Sequence, residues 1–285
     1  MKIIQLKGGL GNQMFQYALY KSLKKRGQEV LLDISWYLKN NAHNGYELEW
    51  VFGLSPEYAS IRQCFKLGDI PINLIYNVKR KVFPKKTHFF EKSNFNYDNN
   101  VFEVTNGYFE GYWQNENYFK NFRSEILNDF SFKNIDKRNA EFSEYLKSIN
   151  SVSVHVRRGD YVTNQKALNV HGNICNLEYY NKAINLANNN LKNPKFVIFS
   201  DDITWCKSNL GIDDPVYVDW NTGPYSYQDM YLMSNCKNNI IANSSFSWWG
   251  AWLNQNTEKK VFSPKKWVND RNNVNIVPNG WIKIK

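Results

Sequence analysis

The chain has 285 residues, a length that allows one large domain or two of about 140 residues. Its hydrophobic fraction of 42% and charged fraction of 22% are those of a globular protein, which excludes the disordered and fibrous classes. Lys and Arg number 36 against 26 Asp and Glu, for a formal charge of +10 carried by both halves of the chain, so no basic tail is present.

The opening residues predict a compact βαβ unit. Lys2–Leu6 is a short apolar strand, Gly8-Gly9-Leu10-Gly11 a glycine turn, and Asn12–Arg26 a helix with Phe15, Ala18, Leu19, Ser22 and Leu23 on one face. Gly27 stands where a left-handed helix end is wanted, and Glu29–Asp33 resumes a strand. Residues 34 to about 110 are irregular in pattern and rich in aromatics, Asn and Lys, and few elements are assigned there. The polar stretch Ser131–Arg138 reads as the join between two halves, residues 1–145 and 146–285.

From Ser151 the alternation returns. Strands are predicted at Ser151–Val156, Lys195–Ser200, Val216–Val218 and Asn238–Ala242. Helices are predicted at Leu177–Leu191, Asp202–Asn209, Tyr227–Asn235 and Ser245–Leu253. Strands alternating with helices imply a parallel sheet with right-handed crossovers, so the fold class is α/β with two Rossmann-like halves. No apolar run approaches the ~18 residues of a membrane span. The N-terminal apolar run is broken too early for a signal sequence. The scattered Cys64, Cys175, Cys206 and Cys236 form no ligand-spaced set, so they read as reduced thiols of a cytoplasmic protein and no zinc site is expected.

In open α/β sheets ligands bind beyond the carboxyl ends of the strands. Three such ends are loaded with polar groups. The first is His155-Val156-Arg157-Arg158-Gly159-Asp160-Tyr161, two adjacent arginines in a chain that has only eight. Planar guanidinium groups match phosphate oxygens, so this loop suits a diphosphate, with Gly159 allowing close backbone approach. An Arg–Asp pair internal to the loop is the structural alternative. The second is Phe199-Ser200-Asp201-Asp202, whose carboxylates suit a guanine or ribose, while Asp202 also suits an ordinary helix N-cap. The third is Asn243-Ser244-Ser245-Phe246 opening a helix, whose free N–H groups and hydroxyls make an anion site or a plain cap. Trp248 and Trp252, four residues apart, face the core.

The N-terminal Gly8-Gly9-Leu10-Gly11 fails as a dinucleotide fingerprint, because Met14 stands where a small residue is needed. What remains is a tight loop presenting the Asn12 and Gln13 amides to a hydroxyl-rich ligand. Together these features describe a metal-free site for a diphosphate-linked ligand.

GGLGNQMFQYA, GYWQNENYF, HVRRGDY, FSDD and NSSFSWWGAWL occur in this order over nearly the whole chain. In this the sequence resembles the bacterial α-1,2-fucosyltransferases of glycosyltransferase family 11. The resemblance implies a GT-B-like fold, two Rossmann-type domains facing a central cleft, with the second binding the nucleotide sugar. It implies inverting transfer of L-fucose from GDP-fucose to the 2-hydroxyl of a terminal β-galactose, with no metal requirement. On this chain it makes Arg157 the clamp on the donor diphosphate, with His155 and Arg158 in support. Ser200, Asp201 and Asp202 fall at guanosine contacts, and Asn243, Ser244, Ser245 and Phe246 at diphosphate and fucose contacts. Asn12 falls near the transferred sugar.

Asp160 is the candidate general base, with orientation of Arg157 or Arg158 as its other reading and Glu47 and Glu110 as other carboxylates. Tyr46 and Trp113, with Trp50 and Tyr112, are acceptor-side candidates or core residues. The run Lys79–Lys86 is a solvated loop or a peripheral contact with the inner face of a membrane. No nucleic-acid partner is expected. Two rival readings are a transferase using another GDP-sugar and a non-catalytic carbohydrate-binding protein, the latter favoured by an aromatic content of 16%.

Overall fold

The computed structural model describes residues 1–40, 43–70, 83–92, 95–270 and 275–285. The chain divides into two compact units, Met1–Lys133 and Asn134–Lys285. The division falls in the polar stretch Ser131–Arg138. The helix Lys137–Ser148 belongs to the second unit: Ser143 Oγ lies 2.9 Å from Tyr231 Oη, and Gln228 Nε2 donates to Asp136 Oδ2 at 2.9 Å. A boundary at 145/146 cuts through that helix.

The first unit is built on a parallel sheet of order β2-β1-β4-β3, formed by β1 (Lys2–Gln5), β2 (Val30–Asp33), β3 (His88–Phe90) and β4 (Gly107–Glu110). The helix Leu10–Lys25 crosses from β1 to β2 and buries Phe15, Ala18, Leu19, Ser22 and Leu23, the face its spacing predicts. It ends at Gly27, whose φ of 75° lets its N–H reach Lys24 O at 2.9 Å while Gln28 N–H reaches Leu23 O at 3.1 Å. That pair of bonds is a Schellman closure, and it satisfies carbonyls the helix itself leaves open.

The second unit has a six-stranded parallel sheet of order β10-β9-β8-β5-β6-β7. Its strands are β5 (Ser151–Val156), β6 (Lys195–Ser200), β7 (Val216–Val218), β8 (Asn238–Ile240), β9 (Val261–Pro264) and β10 (Ile282–Ile284). Central β5 is buried along its whole length. Its Val152, Val154 and Val156 pack with Tyr180, Ala183, Ile184 and Ala187 of the helix Leu177–Asn190. Full burial of each such large apolar side chain contributes on the order of 1.5–3 kcal/mol.

Asparagines in this interior are paired. Asn239 Nδ2 donates to Ser153 Oγ at 2.7 Å, and Asn254 Nδ2 donates to Asn239 Oδ1 at 2.8 Å, cross-linking β5, β8 and the end of the helix Ser245–Leu253. Trp248, Trp249 and Trp252 of that helix are all buried, with Trp248 and Trp252 stacked at 6.2 Å and 13°. Trp248 Nε1 donates to Ile276 O at 2.9 Å, so the indole is polar-satisfied within the core. At one end of the helix Tyr227–Asn235, Asn221 Nδ2 donates to Asp229 Oδ1 at 2.8 Å. Desolvation pushes the Asp229 carboxyl up to about 7.

Strands β3, β4, β9 and β10 and the helices Gly159–Thr163 and Gln165–His171 have no counterpart in the sequence reading. Of the basic run 79–86, residues 79–82 lie outside the described residues. Lys85 is drawn in rather than solvated, since its Nζ donates to Phe65 O and, at 3.2 Å, to Gly68 O at the end of the helix Ile61–Leu67. Among the described residues no helix is long and apolar enough to cross a membrane.

Candidate functional site

In the second unit β5 is flanked by β6 and β8, so the segments leaving these three strands are neighbours at the carboxyl edge of the sheet. His155 on β5 stands in register with Phe199 on β6. Beyond them the two arginines meet three carboxylates. Arg157 Nη2 donates to Asp160 Oδ1 at 2.6 Å, and its Nη1 lies 3.0 Å from Asp201 Oδ2. Arg158 donates its backbone N–H to Asp201 Oδ1 at 2.9 Å and its Nε to Asp202 Oδ2 at 3.0 Å. The Arg158 guanidinium also lies over the Trp205 ring at 4.2 Å, a cation–π contact that fixes its plane.

Gly159-Asp160-Tyr161 is not a loop but the first turn of a short helix, because Asp201 ties down the Arg158 N–H immediately before it. The Asp201 carboxylate stands so close to Gly159 that a side chain there would collide with it. Asp202 is the N-cap of the helix Ile203–Asn209, accepting Trp205 N–H at 3.0 Å, and its own N–H donates to Ser200 Oγ at 2.9 Å. The helix N–H and, behind it, the Arg158 guanidinium hold the Asp202 carboxyl below the usual carboxylate range. Burial opposes the charge on Arg157, but Asp201 and Asp160 outweigh it and raise its affinity for the proton. These contacts use two of the five N–H donors a guanidinium offers.

His155 is buried, and burial together with the Arg157 charge pushes its imidazole down to about 3. It is therefore neutral at physiological pH. Its ring centroid is 5.8 Å from that of Phe246, and its Nδ1 has no hydrogen-bond partner. Ser244 caps the helix Ser245–Leu253 by accepting Phe246 N–H at 3.3 Å. Ser245 and Phe246 are the residues of that helix that are not buried. Asn243 is a structural anchor, its Nδ2 donating to His171 O at 3.0 Å and Trp267 O at 3.1 Å.

The structure thus joins Arg157, Arg158, Asp160, Asp201, Asp202 and Ser200 by direct bonds, and His155 to Phe246 by ring contact. Tyr161, His171 and Trp205 were not singled out from the sequence. Tyr161 stacks on His171 at 4.9 Å and donates to Asn243 O at 3.2 Å, linking two of the three segments. Its place in HVRRGDY is the signal that was there to be read. Among the described residues no cluster of His, Cys, Asp and Glu is arranged to hold a metal ion.

In the first unit the glycine turn closes over the end of β1. Gln13 Nε2 donates to Gly8 O at 3.1 Å and Gly45 O at 2.8 Å, and its Oε1 accepts Glu47 N–H at 2.9 Å. Gln16 bridges Lys7 N–H and Gly111 O at 3.0 and 2.9 Å. Asn12 Oδ1 accepts Gln114 Nε2 at 2.6 Å. Glu47 is buried, which raises its pKa, and it accepts the Leu10 N–H at the helix start that Gly9 cannot cap. Glu110 lies 3.5 Å from Lys7 Nζ and 3.3 Å from His88 Nε2. Tyr46 shares a 2.8 Å hydrogen bond with Tyr58 and packs 6.0 Å from Tyr37. Trp113 is a core residue, 3% exposed against Phe109 and Tyr118, while Trp50 is half exposed.

A model of the family described as Glycosyl transferase family 11 matches residues 74–285. The Alpha-1,2-colitosyltransferase of Escherichia coli is 36% identical, over 99% of this chain and 98% of its own length. The O-antigen biosynthesis glycosyltransferase WbnK of Escherichia coli is also 36% identical, over 98% and 99%. The Galactoside alpha-(1,2)-fucosyltransferase 2 of Rattus norvegicus is 29% identical over 51% of this chain and 43% of its own. Among solved structures, the fucosyltransferase NodZ from Bradyrhizobium is similar with a TM-score of 0.50 and 15% identity, covering 87% of this chain and 91% of that one. That likeness concerns the fold, which is α/β with parallel sheets and GT-B-like.

Proposed function

We propose, from the premise that the chain belongs to glycosyl transferase family 11, that it moves L-fucose from GDP-fucose to the 2-hydroxyl of a terminal β-galactose on an oligosaccharide or surface glycan. The observation that carries the reading is the Arg157–Arg158 pair, pre-oriented by Asp160, Asp201 and Asp202 at the end of central β5. A neutral glycan alone needs no such cationic fork, whereas a nucleoside diphosphate does.

The acceptor 2-hydroxyl attacks the anomeric carbon as the bond to the GDP oxygen breaks, its proton being released to solvent, with inversion through an oxocarbenium-like transition state. Negative charge grows on the leaving diphosphate. The unengaged N–H groups of Arg157 and the N-terminus of the helix Ser245–Leu253 meet that charge, each such donor being worth ~2.7–4 kcal/mol of barrier where its role is equivalent. Neutral His155, its ring beside that of Phe246, backs the arginines without adding charge. Asp201 and Asp202 line the guanosine side while holding the arginines. The bond from Arg157 supports an orienting role for Asp160 over that of general base. Asn12 addresses the transferred sugar. Charge neutralisation rests on these residues, so transfer persists in EDTA.

A second donor is favoured by the 36% identity with a colitosyltransferase over nearly the full chain. Colitose is fucose without its 3-hydroxyl, so both donors present the same nucleotide to Arg157. The test is a transfer screen with GDP-fucose, GDP-colitose, GDP-mannose and UDP-galactose against a panel of galactosides, with the product linkage read by NMR. An α-1,2-fucosyl product supports the first reading and an exclusive colitosyl product the second. Absence of any nucleotide-sugar binding by calorimetry would leave a carbohydrate-binding protein instead.

A further inference from the structure

From Leu10 to Tyr20 every residue of the helix Leu10–Lys25 is buried except Asn12. One side of its carboxamide is gripped, since Gln114 Nε2 donates to Asn12 Oδ1 at 2.6 Å. The other side faces the glycine turn: a Cβ on Gly8 would stand 2.6 Å from Asn12 Nδ2, and Gly8 has a φ of 81°. An amide carries its donor and acceptor at opposite corners. Engaging Oδ1 therefore sets Nδ2 on the Gly8 side of the carboxamide.

The segment that delivers Gln114 is strained. Trp113, just before it, has a φ of 55°, a left-handed conformation that an aromatic residue adopts only when its surroundings impose it. They do so here. Asn115 N–H closes on Trp113 O at 2.8 Å, Asn115 Nδ2 is anchored to Phe95 O at 2.8 Å, and Gly111 O is held by Gln16. The turn throws Gln114, itself only 6% exposed, back onto Asn12.

We propose that Gln114 is a positioning residue for the transfer reaction, locking the Asn12 carboxamide in the rotation that presents its N–H2 to an oxygen of the transferred sugar. This rests on the reading of Asn12 given under Proposed function. Gln114 touches no substrate itself; it acts through Asn12.

The test is a double-mutant cycle on whichever donor the wild-type chain transfers. A carboxylate at 114 only accepts, so Gln114→Glu draws the Asn12 N–H2 inward and turns Oδ1 toward the sugar. Its kcat is expected to fall about 100-fold, the scale of losing one oriented donor, with the Kd for GDP unchanged. In the Asn12→Ala background the same substitution is expected to cost nothing further, because both changes remove one interaction. Gln114→Met, which keeps volume but lets Asn12 rotate, falls between wild type and Gln114→Glu and serves if the glutamate variant does not fold. Losses that multiply across the cycle overturn the proposal, as does a Gln114→Glu enzyme with wild-type kcat. A wild-type chain that transfers no sugar overturns the underlying reading and this one with it, an outcome distinct from an active chain with multiplicative losses.

Discussion

Asp201 Oδ2 stands 2.5 Å from the point that a Cβ on Gly159 would occupy, so the glycine is the space into which the carboxylate fits. The same oxygen lies 3.0 Å from Arg157 Nη1. Gly159→Ala therefore pushes Asp201 away from the guanidinium it orients. The Kd for GDP is expected to rise about tenfold, or ~1.4 kcal/mol, by calorimetry at unchanged Tm. An unaltered Kd sinks the argument.

Arg157→Ala removes the donor best placed to meet charge on a departing diphosphate. Its kcat is expected to drop about 100- to 1000-fold in steady-state assays. Arg157→Lys should recover less than about a tenth of the wild-type rate, since a point charge cannot span Asp160, Asp201 and a phosphate as the planar fork does. A fully active lysine enzyme contradicts the role of the fork.

Asp160→Asn separates orientation from base catalysis. Its side chain is 45% exposed, and a pair so open to solvent contributes under ~1 kcal/mol. The variant is expected to retain kcat within about tenfold and to keep the shape of its pH profile. Disappearance of the acidic limb of that profile assigns the base to Asp160 after all.

Asp229 gives a stability prediction with a definite sign. Its folded pKa, about 7, lies above the ordinary aspartate value of 3.8. The folded chain thus binds more protons than the unfolded chain between these values, and the contribution is lost as pH rises through 7. Asp229→Asn, which keeps an acceptor for Asn221 without the charge, is expected to gain more stability over the wild type at pH 8 than at pH 5. Denaturant midpoints at the two pH values measure it. An equal difference at both refutes the assignment.

In the second unit β5 to β8 were legible because their signals are local and redundant. β5 and β6 are β-branched or apolar runs, and Leu177–Asn190 has a single apolar stripe, so period and length agree. The first unit gave way only at its opening βαβ. His88–Phe90 and Gly107–Glu110 are too short to show a period, and they become strands through pairing with each other and with β1 across long loops. The site was legible as a set of residues but not as a circuit. Gly159 looked like clearance for a phosphate, yet the group it clears is Asp201, 42 residues on. Gln114 could not be tied to Asn12 from spacing at all, because their contact depends on a left-handed turn at Trp113 that no tryptophan advertises.

The tryptophan cluster has a consequence for observation. Trp248, Trp249 and Trp252 sit within 5.0 to 6.2 Å of one another, ring to ring, in the helix whose first turn carries Ser245 and Phe246. Trp281 lies 5.6 Å from Trp248 as well; indoles that close couple their excited states, so their near-ultraviolet circular dichroism depends on the geometry of all four. The second unit thereby contains its own optical gauge: spectroscopy in plain buffer, without label or ligand, follows the packing behind Ser245 and Phe246.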